Sequence, residues 1–291
     1  MNEIQRLINN GNVSGTFDLE FGGQSTAGTS SFGKNLTCHD LGMRLEEHLT
    51  VLRRDGRALA EAAGRAGPDA VVPPCPGWRV RDVLLHIGGV HRWAAAYVTS
   101  GRKRPFDAAE ESRFFERVDD GALIDWFRSG HGALVDALAG ADPALECWGF
   151  LPAPSPLAFW ARRQAHETAV HRADVESAVG STPAWAPAFA VDGVEELLRA
   201  FFANRPERVA GEPPVTVALS ATDAEAAWTI RLDAKGLHVT DGAEPAMLAV
   251  SGTATELYLL LWNRIGLDDL VVDGDAGALD AWRGRATITW T

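Results

Sequence analysis

The run Arg163-Gln164-Ala165-His166-Glu167-Thr168-Ala169-Val170-His171-Arg172-Ala173-Asp174 decides how the chain folds and where its chemistry sits. Neither Pro nor Gly interrupts it, so it reads as helix. At about 100° per residue, Glu167 and His171, four apart, lie one above the other on one face. His166 and His171, five apart, point about 140° from each other. The stretch is therefore not the HExxH pattern of zinc proteases, which needs histidines four apart. It offers an oxygen donor and a nitrogen donor side by side, and a third ligand would have to come from another element. Sites of this kind are built in the core of a helix bundle from facing helices.

Three more helices are legible upstream. Asp40 can cap the first, whose Leu41, Leu45, Leu49, Leu52, Leu59 and Ala63 form one apolar stripe ending at Gly67-Pro68. A Pro-rich loop carrying Cys75 and Trp78 leads to a second helix, about residues 79–99, and a third spans about 120–139. A long connection that could hold a short helix separates those two. The fourth, about 156–178, contains the opening run and starts at Pro156, where a missing N–H costs nothing. Two long crossings suit a four-helix bundle. Adjacent Gly88-Gly89 within the second helix cost about 1 kcal/mol each relative to alanine, tolerable where a neighbour or ligand must approach closely.

After a Gly/Pro/Ser/Thr linker at 180–187 the periodicity changes. Residues 191–202 look helical, whereas 215–219, 227–232 and 236–240 alternate with period two and read as strands of an antiparallel sheet, with 247–251 as a candidate fourth. Residues 254–262 are helical, and a strand-like Leu-Val-Val follows within 269–274. The expected fold class is α+β. Residues 1–39 are expected to be a flexible extension, 40–180 the bundle and 188–291 the smaller α+β domain. Within the extension, Phe17-Asp18-Leu19-Glu20 is similar, over four residues only, to the recognition box of lanthipeptide leaders; composition favours a disordered tail or a misplaced start.

Composition bounds the function. The chain has 291 residues, 46% of them hydrophobic and 23% charged, as in globular proteins. A net charge of −12 argues against nucleic acid or an anionic membrane as partner. No apolar run approaches the ~18 residues of a membrane span. The N-terminus lacks the basic-then-apolar order of a secretory signal. Cys38, Cys75 and Cys147 are odd in number and lack CxxC spacing, which points away from a disulfide framework and towards a cytoplasmic location. Abundant Ala, Arg, Asp and Gly suggest a GC-rich bacterial gene. The oligomeric state is not readable.

His86, on the second helix, completes a His/Glu/His set with Glu167 and His171. Three ligands and an open position are how catalytic zinc is held; iron or nickel could take the same donors. The alternative is that both histidines are ordinary helix residues satisfied by neighbours and Glu167 is solvated. The run from Cys75-Pro-Gly-Trp78 through His86 to His91-Arg-Trp93 resembles the N-terminal signature of the mycothiol-dependent maleylpyruvate isomerase family, actinobacterial members of the DinB-like metal-binding four-helix bundles. Glu167-xxx-His171-Arg172-x-Asp174 is similar to that family's second signature. The C-terminal half, through 249–264 and 272–275, resembles the sterol-carrier-like domain that follows there.

The resemblance covers roughly 41–291. It implies that His86, Glu167 and His171 bind a divalent metal, zinc in the family, and that mycothiol is the thiol cosubstrate. It also implies a catalytic arginine supplied by the C-terminal domain, matched to Arg264, although Asn263 stands where the family more often has glycine. The alternative for Arg264 is a surface arginine at a helix C-terminus.

Among the remaining candidates, His91 reads as a surface or packing residue and Trp78 and Trp93 as core. His166 is either a packing residue or a second contact of the site. Asp174 and Asp82 could orient His171 and His86, or could cap and form ion pairs. Cys75 shows no positioned base and reads as structural. The expected function is a mycothiol-dependent isomerase or S-transferase acting on a small electrophile. The other readings are a metal-dependent hydrolase or transferase that activates water, and a non-catalytic binding protein.

Overall fold

The computed structural model describes residues 42–204 and 209–286, so expectations about the N-terminal extension and about Asp40 and Leu41 lie outside the described residues. Four long helices form the N-terminal bundle: α1 (Leu45–Ala66), α2 (Val80–Ser100), α4 (Asp120–Gly140) and α5 (Pro156–Ser177); a short α3 (Ala108–Glu111) lies in the connection between α2 and α4. The first described helix starts at Leu45. Its start is set by Glu47, which reaches back to accept the Arg44 N–H at 2.8 Å. Asp82 does the same for the Arg79 N–H at the start of α2, so it serves as a cap and does not orient His86. Ser155 caps α5 by accepting the Ala158 N–H.

α5 packs mainly on α1, and α2 on α4. Gly88 and Gly89 let neighbouring elements in: a methyl at Gly88 would lie 2.2 Å from the Trp126 ring, and one at Gly89 would lie 2.3 Å from Phe115. Trp126 is held under the Arg92 guanidinium, 3.8 Å from its centroid. Gly88→Ala is therefore expected to lose more by overpacking (about 1–3 kcal/mol) than the roughly 1 kcal/mol it gains in helix propensity. A thermal melt of the variant should show a lower midpoint.

The C-terminal domain begins with α6 (Pro187–Glu195), which continues as a π-helical segment (Glu196–Phe202). Its five-stranded sheet has the order β3-β2-β1-β4-β5, from β1 (Val215–Ala221), β2 (Ala227–Asp233), β3 (Gly236–Asp241), β4 (Leu248–Gly252) and β5 (Val271–Gly274). The pairs β1–β2, β2–β3 and β4–β5 are antiparallel, as expected, but β4 lies parallel to β1, with Leu219 opposite Val250, so the sheet is mixed. Residues 242–247 run back along the sheet to make this pairing. Thr229 on β2 holds that return, bonding the Gly242 carbonyl at 2.7 Å and the Glu244 N–H at 2.9 Å. α7 (Ala254–Leu261) packs on α6, and α8 (Gly277–Arg285) closes the domain.

One apolar core crosses both domains. It runs from Leu49, Tyr97 and Trp160 in the bundle to Leu197, Trp228, Leu257 and Trp282 beyond it. A second cluster, around Leu59, Ile87, Phe127 and Val175, fills the other end of the bundle. α5 lies against both domains, and 17 of its 22 residues are buried. Such a helix is expected to be apolar all round, yet this one buries Arg163, Gln164, His166, Glu167, His171, Asp174 and Glu176. Each buried charge must then find a partner, and those pairings build the site.

Candidate metal centre

The structure brings His86 from α2 against Glu167 and His171 from α5. The Glu167 Oε1 atom lies 3.6 Å from His86 Nε2 and 3.3 Å from His171 Nε2, and all three ligand atoms lie within 4.8 Å of one another. Bonds of about 2.1 Å in tetrahedral geometry place ligand atoms about 3.4 Å apart, so this spacing is right for a shared cation. His86 Nε2 is buried without a hydrogen-bond partner. A buried, unsatisfied nitrogen aimed at a carboxylate and a second imidazole is the mark of a ligand position. Burial lowers the His86 pKa, which keeps the ring in the neutral form a metal needs.

The other two candidate ligands are oriented by charged partners. His171 Nδ1 sits 2.9 Å from Asp174 Oδ2; an ionised carboxylate only accepts, so Nδ1 carries the proton and Nε2 is turned towards Glu167. Arg163 Nη2 donates to Glu167 Oε2 at 2.7 Å. Burial alone would raise the Glu167 pKa, but Arg163 and the two imidazoles hold it well below the usual carboxylate range. Burial would likewise lower His171, yet Asp174 and Glu167 raise it to about 9.

Arg264 reaches the site through Asp174, donating from Nε to Oδ1 at 2.7 Å and from Nη2 to Oδ2 at 3.0 Å. Burial would raise the Asp174 pKa, but Arg264 and His171 bring it down to about 2. A helix C-terminus aims this arginine. The Arg264 N–H bonds the Leu259 carbonyl and the Asn263 N–H bonds the Leu260 carbonyl, the paired bonds of a Schellman ending. Its left-handed position is Asn263, with φ 59°. Asparagine follows glycine in tolerance for that conformation, which accounts for its presence where the resemblance leads one to expect glycine.

His91 is fully buried and bonds Thr168 Oγ1 at 2.9 Å, so it packs. Trp93 is core, but Trp78 is only partly buried and stands edge-on to His86, 5.5 Å between centroids, as a wall of the site. The Cys75 thiol is pushed up to about 12 by burial and by Asp174 beside it, which is the opposite of a reactive thiolate. Two surface clefts of 490 and 470 Å³, on the α1–α4 face and at the β2–β3 edge, include none of these residues.

His166 belongs to a different cluster. Its Nε2 and that of His48 lie 2.8 and 2.9 Å from Asp192 Oδ2, with Arg162 Nε at 3.0 Å from the same oxygen. These are hydrogen-bond lengths, and Arg162 already supplies the positive charge, so the group ties the bundle to α6. Burial would raise the Asp192 pKa, but bonds from His166 and His48 and the charge of Arg162 hold it far below its ordinary value of 3.8. A carboxyl with a depressed folded-state pKa stabilises above its unfolded pKa and loses that contribution as acid is added. Asp192→Asn should be about 2 kcal/mol less stable than the parent in urea at pH 7. The gap should shrink in titrations at successively lower pH below about 4.

Sequence reasoning gave no role to Asp192, Glu196 or Asp55. Arg163, four residues before Glu167, was readable as an ion-pair partner from helical spacing alone.

Fold and cluster place the chain among two-domain proteins that join a four-helix bundle to a small α+β unit. Two family models match: the mycothiol maleylpyruvate isomerase N-terminal domain over residues 49–176 and the MDMPI C-terminal domain over residues 188–281. The chain belongs to the mycothiol-dependent maleylpyruvate isomerase family. It is similar to the crystal structure of the mycothiol-dependent maleylpyruvate isomerase, with a TM-score of 0.56 and 16% identity over 82% of this chain and 96% of that one. A histidine-to-alanine variant of that enzyme superposes equally well at 14% identity. At these identities the likeness speaks for the fold. No curated protein is similar enough to match. Among the described residues, no helix is long and apolar enough to cross a membrane.

Proposed function

We propose that the protein is a metal-dependent enzyme that uses mycothiol to act on a small electrophilic substrate, by isomerisation or by S-transfer. The observation that carries this reading is the buried, unpartnered His86 Nε2 facing Glu167 and His171 in a chain of this family. His86, Glu167 and His171 would hold the metal, zinc being the expected ion for two imidazoles and one carboxylate. When bound, such an ion supplies positive charge that lowers the pKa of a thiol brought beside it. Asp174 fixes the His171 tautomer, and Trp78 shields one side of the site. Arg264 bonds Asp174 twice and the Trp262 carbonyl once; with five N–H groups in a guanidinium and 19% of its side chain exposed, it retains donors for a substrate carboxylate. A cytoplasmic setting, where such thiols are kept reduced, suits this chemistry.

Metal analysis of the purified protein, followed by calorimetry with mycothiol, tests the reading. Near-stoichiometric metal and metal-dependent thiol binding are expected. Metal without thiol binding or thiol-dependent turnover would favour activation of water on the same ligands.

A further inference from the structure

We propose that Arg163 and Glu196 are positioning residues through which the C-terminal domain holds Glu167 as a one-oxygen ligand and sets the metal affinity of the cluster. The inference rests on the reading of His86, Glu167 and His171 as a metal centre.

The two oxygens of Glu167 have divided tasks. Oε1 faces both imidazoles, and Oε2 accepts from Arg163 Nη2 at 2.7 Å. With Oε2 engaged, the carboxylate cannot turn to present both oxygens to one ion. Arg163 is itself held: its Nη1 makes a close ion pair with Glu196 Oε2, and its guanidinium lies over the Phe201 ring, 4.9 Å from the centroid. Arg163 and Glu196 are 1% and 2% exposed, so neither pair is diluted by water.

Glu196 and Phe201 are five apart, and in an α-helix they would point about 140° from each other. Both nevertheless reach Arg163, because they lie in the π-helical segment Glu196–Phe202. Single wide turns of this kind occur mostly at functional positions. This one supplies a charge and an aromatic face to the same guanidinium.

The charges give the arrangement its effect. One guanidinium between two carboxylates leaves a net negative charge facing the imidazoles, as a divalent ion requires. Neutralising Glu196 would turn the whole charge of Arg163 upon Glu167 and weaken the carboxylate as a donor to the ion. Partners of this kind are worth roughly 10–100-fold in metal affinity.

The test uses the full-length protein, titrated with Zn²⁺ against a chromophoric chelator and with Co²⁺ followed by its visible absorption. Glu196→Gln should bind both ions roughly 10–100-fold more weakly than the parent and show an altered Co²⁺ spectrum. Glu196→Asp, which keeps the charge but retracts it by one methylene, should fall between the two and guards against a Gln variant that fails to fold. A purely structural role would lower the melting temperature and leave affinity and spectrum unchanged. Folded variants that bind as tightly as the parent, with the parent spectrum, would overturn the proposal. A parent protein that takes up neither ion would instead overturn the metal-centre reading beneath it.

Discussion

His86→Ala is expected to weaken metal binding by roughly 10²–10³-fold while leaving the metal-free fold nearly intact. The magnitude follows from dividing the ~10–16 kcal/mol of a four-ligand zinc site among its ligands, about 2.5–4 kcal/mol each. The second half of the expectation follows from the structure. His86 Nε2 has no hydrogen-bond partner, so truncation breaks no hydrogen bond; the ring's loss removes its packing against Trp78 and His171 and its 3.6 Å approach to the Glu167 carboxylate, which Arg163 and His171 still hold. That packing is worth about 1 kcal/mol, or roughly 2–4 °C in a protein of this size. The parent should gain thermal stability when zinc is added, by about 2.7 kcal/mol at a hundredfold excess over Kd, and the variant should gain almost none. Melts with and without zinc separate the two roles. A core histidine would lower both curves together and leave the zinc-induced shift in place.

Asp55→Ala should be the most destabilising change away from the candidate metal centre, by about 3–5 kcal/mol. Asp55 is fully buried on α1. It accepts from Arg172 Nη1 on α5 at 3.0 Å and from the Trp185 indole N–H, in the segment leading to α6, at 2.5 Å. Removing the carboxylate leaves a buried indole N–H without an acceptor and Arg172 short of a counter-charge. Arg54 also bonds Asp55 at 2.7 Å, but its side chain is 48% exposed; Arg54→Ala should cost under 1 kcal/mol. Urea unfolding followed by tryptophan fluorescence measures both. Equal losses for the two variants would mean that the buried pairings do not dominate.

The helical period made much of the bundle legible, because α1, α2 and α4 each bury a single apolar stripe. It also put Glu167 beside His171. What it could not place were contacts made across the chain. The Asp192 and Glu196 carboxylates act through residues 26 to 144 positions away, and nothing local distinguishes them from solvated helix acids. Period-two alternation says which residues face inward, but not whether a neighbouring strand runs parallel, so the parallel β1–β4 pair within an otherwise antiparallel sheet is not legible. α8, with Gly277 and Gly284 in its nine residues, has too weak a helical pattern to be read. His86 stood out as a donor on a second helix, but its place beside Glu167 depends on how α2 crosses α5, which no spacing encodes. Trp78 packs against the second core cluster, as a tryptophan commonly does, and also stands edge-on to His86, a contact that no local pattern encodes.

The apolar core that runs unbroken from Leu49 to Trp282 bears on modularity. A metal-binding bundle could serve as a cassette, moved between proteins with its ligands intact. This one could not. Cut off at the linker, α5 would expose the apolar surface that now meets the second domain, and Arg163 and Asp174 would lose Glu196 and Arg264. New partners for such a bundle would have to be built on the attached domain in place, because the seam carries part of the charge pairing of the site.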